Sequence, residues 1–256
     1  MSTLYIVATP IGNLEDISMR ALRILSEVDF ILCEDTRVTK KLLNHYKINT
    51  RTISYHQHSD IKKLNLIIGL LKKGKDLALV SDAGTPGISD PGGKLVSAVI
   101  DEFGNSVKIE SVPGPSAVAA ALSISGIQTD KFFFLGFPPH KKGRQTFIER
   151  IADSVYPVVI YESKHRIMKF LEELKELNKR IIKRNKEIDI KLENLGTRQR
   201  KELLLGKRTP VTSVVVCREL SKMHETVYRG DIRKIIEKIK ESKSHEKGEF
   251  VVVIGK

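Results

Sequence analysis

The groups best suited to handling a ligand lie in Leu79-Val80-Ser81-Asp82-Ala83-Gly84-Thr85-Pro86-Gly87-Ile88-Ser89-Asp90-Pro91-Gly92-Gly93, where four glycines, two prolines and two aspartates follow an apolar run. Glycine lets backbone approach a bound molecule with no Cβ between, and ligands of open α/β sheets sit beyond the carboxyl ends of strands. A tight turn alone needs far less special composition. The chain has neither Gly-x-Gly-x-x-Gly nor Gly-Lys-Ser/Thr, so dinucleotide and Walker-type ATP binding lose support. A second loop of the same placement is Thr9-Pro10-Ile11-Gly12-Asn13-Leu14, after which Asp16 is expected to open an amphipathic helix. A third cluster, Cys33-Glu34-Asp35-Thr36-Arg37, ends a strand with two carboxylates and an arginine. It suits either proton transfer or a helix cap with a salt bridge. Glu162, Lys164, His165 and Arg166 follow another strand and could hold phosphate or substrate, or cap the next helix. His56 and His58 form a His-x-His with no evident third ligand, so no metal is expected.

These loops need a scaffold. Short apolar runs (Leu4–Ala8, Phe30–Cys33, Leu77–Val80, Phe132–Leu135, Val158–Tyr161, Val214–Cys217, Phe250–Ile254) alternate with helical patterns at Asp16–Val28, Val38–Tyr46, Ile61–Lys73, Lys94–Phe103, Ser116–Ser125, Lys164–Leu177 and Ile232–Lys240. That rhythm indicates α/β. Val112-Pro113-Gly114-Pro115 interrupts any helix or central strand and marks the expected junction between domains 1–113 and 114–256. Ser116 can cap the helix beyond it, and the run Ala117-Val118-Ala119-Ala120-Ala121 lets a neighbouring helix or a ligand pack closely.

With 256 residues, 41% of them hydrophobic and 29% charged, two modest globular domains are expected. No apolar run reaches the roughly 20 residues of a membrane span, so the expected location is the cytoplasm, with no membrane partner. Cys33 and Cys217 stand far apart and read as buried, reduced thiols. Lys and Arg number 44 against 31 Asp and Glu, a formal charge of +13 that favours polyanions, nucleic acid first, though anionic lipid and simple solubility also fit. Between Lys175 and Arg208, twelve basic residues face five acidic ones, so half the surplus sits in one segment. Its part from about 179 to 208 reads as an inserted basic stretch, helical or mobile.

Taken in order, the Leu4 to Leu14 segment, Cys33-Glu34-Asp35-Thr36-Arg37, Ser81 through Gly92, Val112-Pro113-Gly114-Pro115-Ser116-Ala117, Phe134-Leu135-Gly136-Phe137-Pro138, Tyr161-Glu162-Ser163 and Arg218-Glu219-Leu220 resemble the small-subunit ribosomal RNA cytidine ribose 2′-O-methyltransferase family, of the tetrapyrrole methylase fold. The resemblance implies two α/β domains with S-adenosylmethionine in the cleft between them, a homodimer, and a cytidine of the decoding region of 16S ribosomal RNA in the small ribosomal subunit as substrate. It assigns Pro10, Gly12, Asp82, Gly84, Thr85, Ile88, Ser116 and Ala117 to the cofactor, with Tyr161 and Leu220 from the second domain. A ribose hydroxyl needs a base, for which Glu34 and Asp35 are nominated, with Arg37 holding them or binding phosphate and His165 in reserve. The chain departs from the family in its longer connection at 179–208 and in ending at Lys256 without a further small domain; the basic stretch is expected to replace part of an RNA-holding surface. Two other readings stand beside this one: a methylase of tetrapyrroles or diphthamide precursors on the same fold, and a non-catalytic basic ribosome-assembly protein.

Overall fold

Strands that are apolar on both faces require cover on both sides, which a parallel sheet obtains from crossover helices. The first unit follows that rule. The computed structural model describes residues 2–56, 61–192, 200, 204–242 and 244–256, and it divides into units Met1–Ala117 and Val118–Lys256, slightly beyond the expected junction.

In the first unit β1 (Thr3–Val7), β2 (Phe30–Cys33), β3 (Arg51–Ser54), β4 (Leu77–Leu79) and β5 (Lys108–Val112) form a parallel sheet ordered β3-β2-β4-β1-β5. Helices α1 (Met19–Glu27) and α2 (Thr36–His45) cover one face, where Ile31, Cys33, Ala78 and Val80 meet Ala21, Ile24, Leu25 and Leu43. Helices α3 (Ile61–Lys72) and α4 (Gly92–Phe103) cover the other, where Leu4, Leu32, Leu77 and Leu79 meet Ile67, Leu71, Leu95 and Val99. The period of two along each strand sends alternate residues to opposite cores. One expectation is corrected: Asp16 does not open α1. It lies in a 3-10 turn, Leu14–Asp16, and Ser18 caps the helix by accepting the Ala21 amide.

The second unit carries a mixed sheet, β6 (Phe133–Phe134), β7 (Val158–Ser163), β8 (Ser213–Arg218), β9 (Thr226–Gly230) and β10 (Glu249–Gly255), in the order β6-β7-β10-β8-β9. Helices α5 (Ala117–Ser125) and α6 (Arg144–Asp153) lie before β7, and α7 (Ile167–Leu192) and α8 (Ile232–Lys240) complete the set. Val158, Ile160, Val214, Val216, Val252 and Ile254 share one core with α6, α7 and α8. Among the described residues no helix is long and apolar enough to cross a membrane.

Helix α7 runs well past its expected end at Leu177, because its buried stripe of Phe170, Leu171, Leu174 and Leu177 continues through Ile181 and Ile188. Within the basic stretch, residues 179–192 are therefore helical, while 193–199 and 201–203 lie outside the described residues. Two asparagines on the same side replace apolar residues. The Asn178 side chain donates to the Val211 carbonyl at 3.1 Å and accepts the Val211 amide at 2.9 Å. Asn185 repeats the exchange with Arg208, at 2.8 and 3.2 Å. Seven helical residues rise about 10 Å, the span of three extended ones, so the returning segment lies along the helix in register.

Because Val211 is buried, replacing Asn178 with Ala would strand its amide and carbonyl, at about 1–3 kcal/mol. Urea unfolding of Asn178→Ala is expected to show that loss, whereas a change within error would mean water takes over both bonds.

Candidate active site

In a parallel sheet all carboxyl ends point to one edge. Four neighbouring strands, β2, β4, β1 and β5, deliver the predicted loops to it. The loops are joined by their backbones. The Thr9 amide donates to the Gly84 carbonyl at 2.9 Å and the Gly84 amide to the Thr9 carbonyl at 3.0 Å, an antiparallel bridge between the loops after β1 and β4. The Thr9 hydroxyl donates to the Ser81 carbonyl at 3.1 Å, the Thr85 hydroxyl to the Pro115 carbonyl at 3.0 Å, and the Asp35 amide to Asp82 Oδ1 at 3.1 Å. The loops after β2, β4, β1 and β5 thus form one continuous surface.

Glycine is required at particular points of it. Gly84 has φ +83°, and a Cβ there would meet Ile11 at 3.3 Å; one on Gly114 would meet the Ala8 methyl at 3.0 Å. The Asp90 carboxylate closes the far end by accepting the amides of Gly87 and Gly92, both at 2.7 Å. Ser89 between them sits at φ +64°, a conformation that costs a non-glycine residue energy and persists where surrounding structure enforces it. Of the residues assigned to the cofactor, Pro10, Gly12, Asp82, Gly84, Thr85, Ile88, Ser116 and Ala117 all lie on this edge or at its border, with Gly12, Asp82 and Ile88 exposed.

The two nominated bases differ sharply. Asp35 caps α2, accepting the Arg37 amide at 2.8 Å, and its carboxylate is bracketed by Arg37 Nε and Nη2, the latter at 2.6 Å. These bonds from Arg37 pull its pKa down to about 2. The cap-and-salt-bridge alternative thus describes Asp35, and such an acid is a weak base. Glu34 is half-buried, and burial first, then the neighbouring charges of Asp90 and Asp82, push its pKa up.

Tyr161, His165 and Leu220 belong to the second unit. Tyr161 on β7 packs edge-on against Phe134, centroids 5.0 Å apart, and against Phe137 at 5.4 Å. Leu220 is buried in a turn whose flanking residues, Glu219 and Ser221, both have positive φ. His165 is exposed in the turn before α7. Lys164 beside it is exposed as well, whereas Glu162 and Arg166 are engaged with each other and with backbone. Glu162, fully buried, accepts the Ser163 amide at 2.8 Å and pairs with Arg166 Nε at 3.0 Å, while Arg166 Nη1 donates to the Pro138 carbonyl at 2.7 Å. Arg144 joins this network through Glu173, 2.7 Å away, and donates to the Pro139 carbonyl. Sequence reasoning missed Arg144; its signal was an arginine just past Pro138-Pro139 at the start of an amphipathic run. Arg218 enters the sequence reading only as part of Arg218-Glu219-Leu220, with no role assigned; it ties the Leu220 turn down through the carbonyls of His224, Ser244 and Lys247. His58 lies outside the described residues, among which no group of three or more His, Cys, Asp or Glu could hold a metal.

Comparison with known proteins bears on the same span. The family described as tetrapyrrole (corrin/porphyrin) methylases matches residues 3–236. The chain is similar to "Ribosomal RNA small subunit methyltransferase I" of Hydrogenobaculum sp., at 41% identity over 99% of this chain and 95% of that one. It is similar to the protein of the same name from Thermotoga maritima at 37%, over 99% and 98%. Among solved structures, a uroporphyrin-III C-methyltransferase from Thermus thermophilus complexed with S-adenosylhomocysteine aligns with a TM-score of 0.59 and 16% identity, covering 100% of this chain and 98% of that one. The methyltransferase CobJ aligns at 0.63 and 15%, over 100% and 94%.

A carboxyl whose pKa rises on folding supports the folded state while protonated and opposes it once ionised, so this contribution disappears as pH climbs from the ordinary value of 4.5 through the folded one. Glu34→Gln is therefore expected to raise Tm at about pH 7 and to lose that advantage near pH 4, where the wild-type group is itself neutral. Equal shifts at both pH values in a thermal melt would contradict the assigned environment.

Proposed function

Because the chain belongs to the tetrapyrrole methylases and, within them, to the ribosomal RNA small subunit methyltransferase I family, we propose that it methylates the ribose 2′-oxygen of a cytidine in the decoding region of 16S ribosomal RNA. It is an S-adenosylmethionine-dependent methyltransferase. The observation that carries the specific reading is the joined strand edge, with glycines where a Cβ would collide and Glu34, Asp82 and Asp90 grouped beside them. A sulfonium cofactor is a cation, and Glu34, whose pKa is pushed up by burial and by the charges of Asp90 and Asp82, gains from a positive charge placed near it. The donor set therefore fits the group.

The cofactor supplies an electrophilic methyl; the chain must position the nucleophile and remove its proton. Pro10, Gly12, Asp82, Gly84, Thr85, Ile88, Ser116 and Ala117 are proposed to bind the cofactor from the first unit, and Tyr161 and Leu220 from the second. Glu34, with its raised pKa, is the stronger carboxylate base and accepts the 2′-hydroxyl proton. Asp35 fixes the start of α2 and orients Arg37, whose guanidinium keeps Nη1 clear of the ion pair and is proposed to meet an RNA phosphate. His165 is the reserve base. Cytoplasmic location and a homodimer complete the proposal.

Tritiated methyl transfer onto small ribosomal subunits, with mapping of the modified ribose, tests the reading; no transfer would favour a non-catalytic assembly protein, and transfer to a tetrapyrrole or a diphthamide precursor would redirect the substrate. In single-turnover assays Glu34→Gln is expected to lower the rate by about 10²–10⁴-fold, the usual contribution of a general base. Cofactor affinity by calorimetry should then change little. Asp35→Asn should cost less turnover, and Asp82→Ala should weaken cofactor binding first. Full turnover in both Glu34→Gln and Asp35→Asn would remove the base assignment.

A further inference from the structure

The cations of α7 and its return strand divide into two classes. Some are paired: Arg180 with Glu149 at 3.2 Å, Arg208 with Glu149 at 2.5 Å and with Asp153 at 2.9 Å, and Lys207 with Asp189, all toward α6 or along α7, and Lys179 with Glu176 at 2.8 Å on the exposed surface of α7 itself. Lys183, Arg184, Lys186 and Lys191 are exposed and make no ion pair among the described residues. At 100° per residue they spread over an arc of about 160°, with Lys183 and Lys186 opposite the stripe of Ile181, Asn185 and Ile188 and with Arg184 and Lys191 along one flank of it. Glu187 lies within that arc, while Asp189, on the other flank of the stripe, is taken by Lys207. Cations crowded at adjacent and i+3 positions repel one another and weaken a helix, so their grouping does nothing for folding.

We propose that this outward face of α7, from Lys183 to Lys191, is a docking surface for the phosphodiester backbone of ribosomal RNA, separate from the residues that hold cofactor and target ribose. It rests on the ribosomal substrate proposed above. Two features favour RNA over another partner. The free cations cover about 12 Å of one rigid helix, a row that suits a chain of phosphates. The helix is also held in place at Asn178 and Asn185 by the returning segment, so the row is fixed before anything binds. Contacts of this kind position the enzyme and read no sequence.

Binding of the full chain to small ribosomal subunits, measured across a series of salt concentrations, tests the dock. A variant carrying Lys183→Gln, Arg184→Gln, Lys186→Gln and Lys191→Gln keeps helix formers throughout and should keep its helicity by circular dichroism. Its plot of log affinity against log salt is expected to be shallower by about three units, since each phosphate no longer neutralised removes roughly 0.7–0.9 from the slope. A control of equal charge change, with Lys62→Gln, Lys73→Gln, Lys234→Gln and Lys238→Gln, should keep a slope nearer the wild-type one. An unchanged slope in the first variant, or the same reduction in both, overturns the proposal. So would an unchanged slope together with self-association abolished on replacing exposed Ile190, which would make the face a protein contact. Slopes that differ as expected, beside a wild-type protein that methylates no subunit, would sink the enzymatic reading and leave the dock standing.

Discussion

Two backbone hydrogen bonds between Thr9 and Gly84 are the constraint on which the first unit's ligand edge depends. Strands β1 and β4 already lie side by side, and each must end in a loop whose amides and carbonyls find partners. Pairing the loops with each other meets that need without side chains, so the side chains left over can face outward. The buried hydroxyls of Thr9 and Ser81 complete the arrangement by donating to the carbonyls of Ser81 and Gly84. Gly84 is central because its amide and carbonyl bond in a conformation that L side chains rarely adopt.

Much of this was legible in the sequence for a physical reason: special backbone requires special residues, and glycine and proline after an apolar run announce it. The central strands were legible because residues buried on both faces give continuous apolar runs. Three edge strands, β3, β5 and β9, were not. β3 (Arg-Thr-Ile-Ser) and β9 (Thr-Val-Tyr-Arg-Gly) border one strand each and carry polar residues on their open sides, while β5 alternates Lys-Ile-Glu-Ser-Val. None of them resembles a core strand. The length of α7 was obscured because asparagine stands at two positions of its buried stripe, where the partner is backbone rather than an apolar core.

At the site, residue types were visible but roles were not. Glu34 and Asp35 are adjacent carboxylates, and no pattern within Cys33-Glu34-Asp35-Thr36-Arg37 says which one the arginine takes. The geometry of a helix start decides. An N-cap side chain turns back to the first amides, so Asp35 meets Arg37 two residues on, and the preceding Glu34 is turned the other way, toward Asp82 and Asp90. One neighbour is stabilised as an anion and the other is pushed toward neutrality. Environments that drive two carboxyls apart are the usual origin of a division of labour in acid–base chemistry.

The second unit meets the demand for satisfied polar groups differently, and the difference bears on its loops. Where the first unit joins backbone to backbone, the second uses arginines as brackets, Arg144 and Arg218 buried and Arg166 half-buried: Arg144 and Arg166 on the carbonyls of Pro139 and Pro138, and Arg218 on three carbonyls around the Leu220 turn. Proline explains part of this choice, since a Pro-Pro segment has no amides with which to form a backbone bridge, leaving only its carbonyls to be held. A guanidinium offers five donors in a fixed fork, so one side chain can hold several carbonyls, provided its charge is matched. Glu162 and Glu173 match it for Arg144 and Arg166. Burying Glu162 raises its pKa and would be unfavourable in isolation. Beside two arginines the burial becomes tolerable, and breaking the set by removing one member would leave an uncompensated buried charge. The Phe137-Pro138-Pro139 loop is therefore held by charge rather than by backbone pairing, which explains why Arg166, just after β7, serves the fold while Lys183 and Lys186 on the outer side of α7 make no ion pair among the described residues.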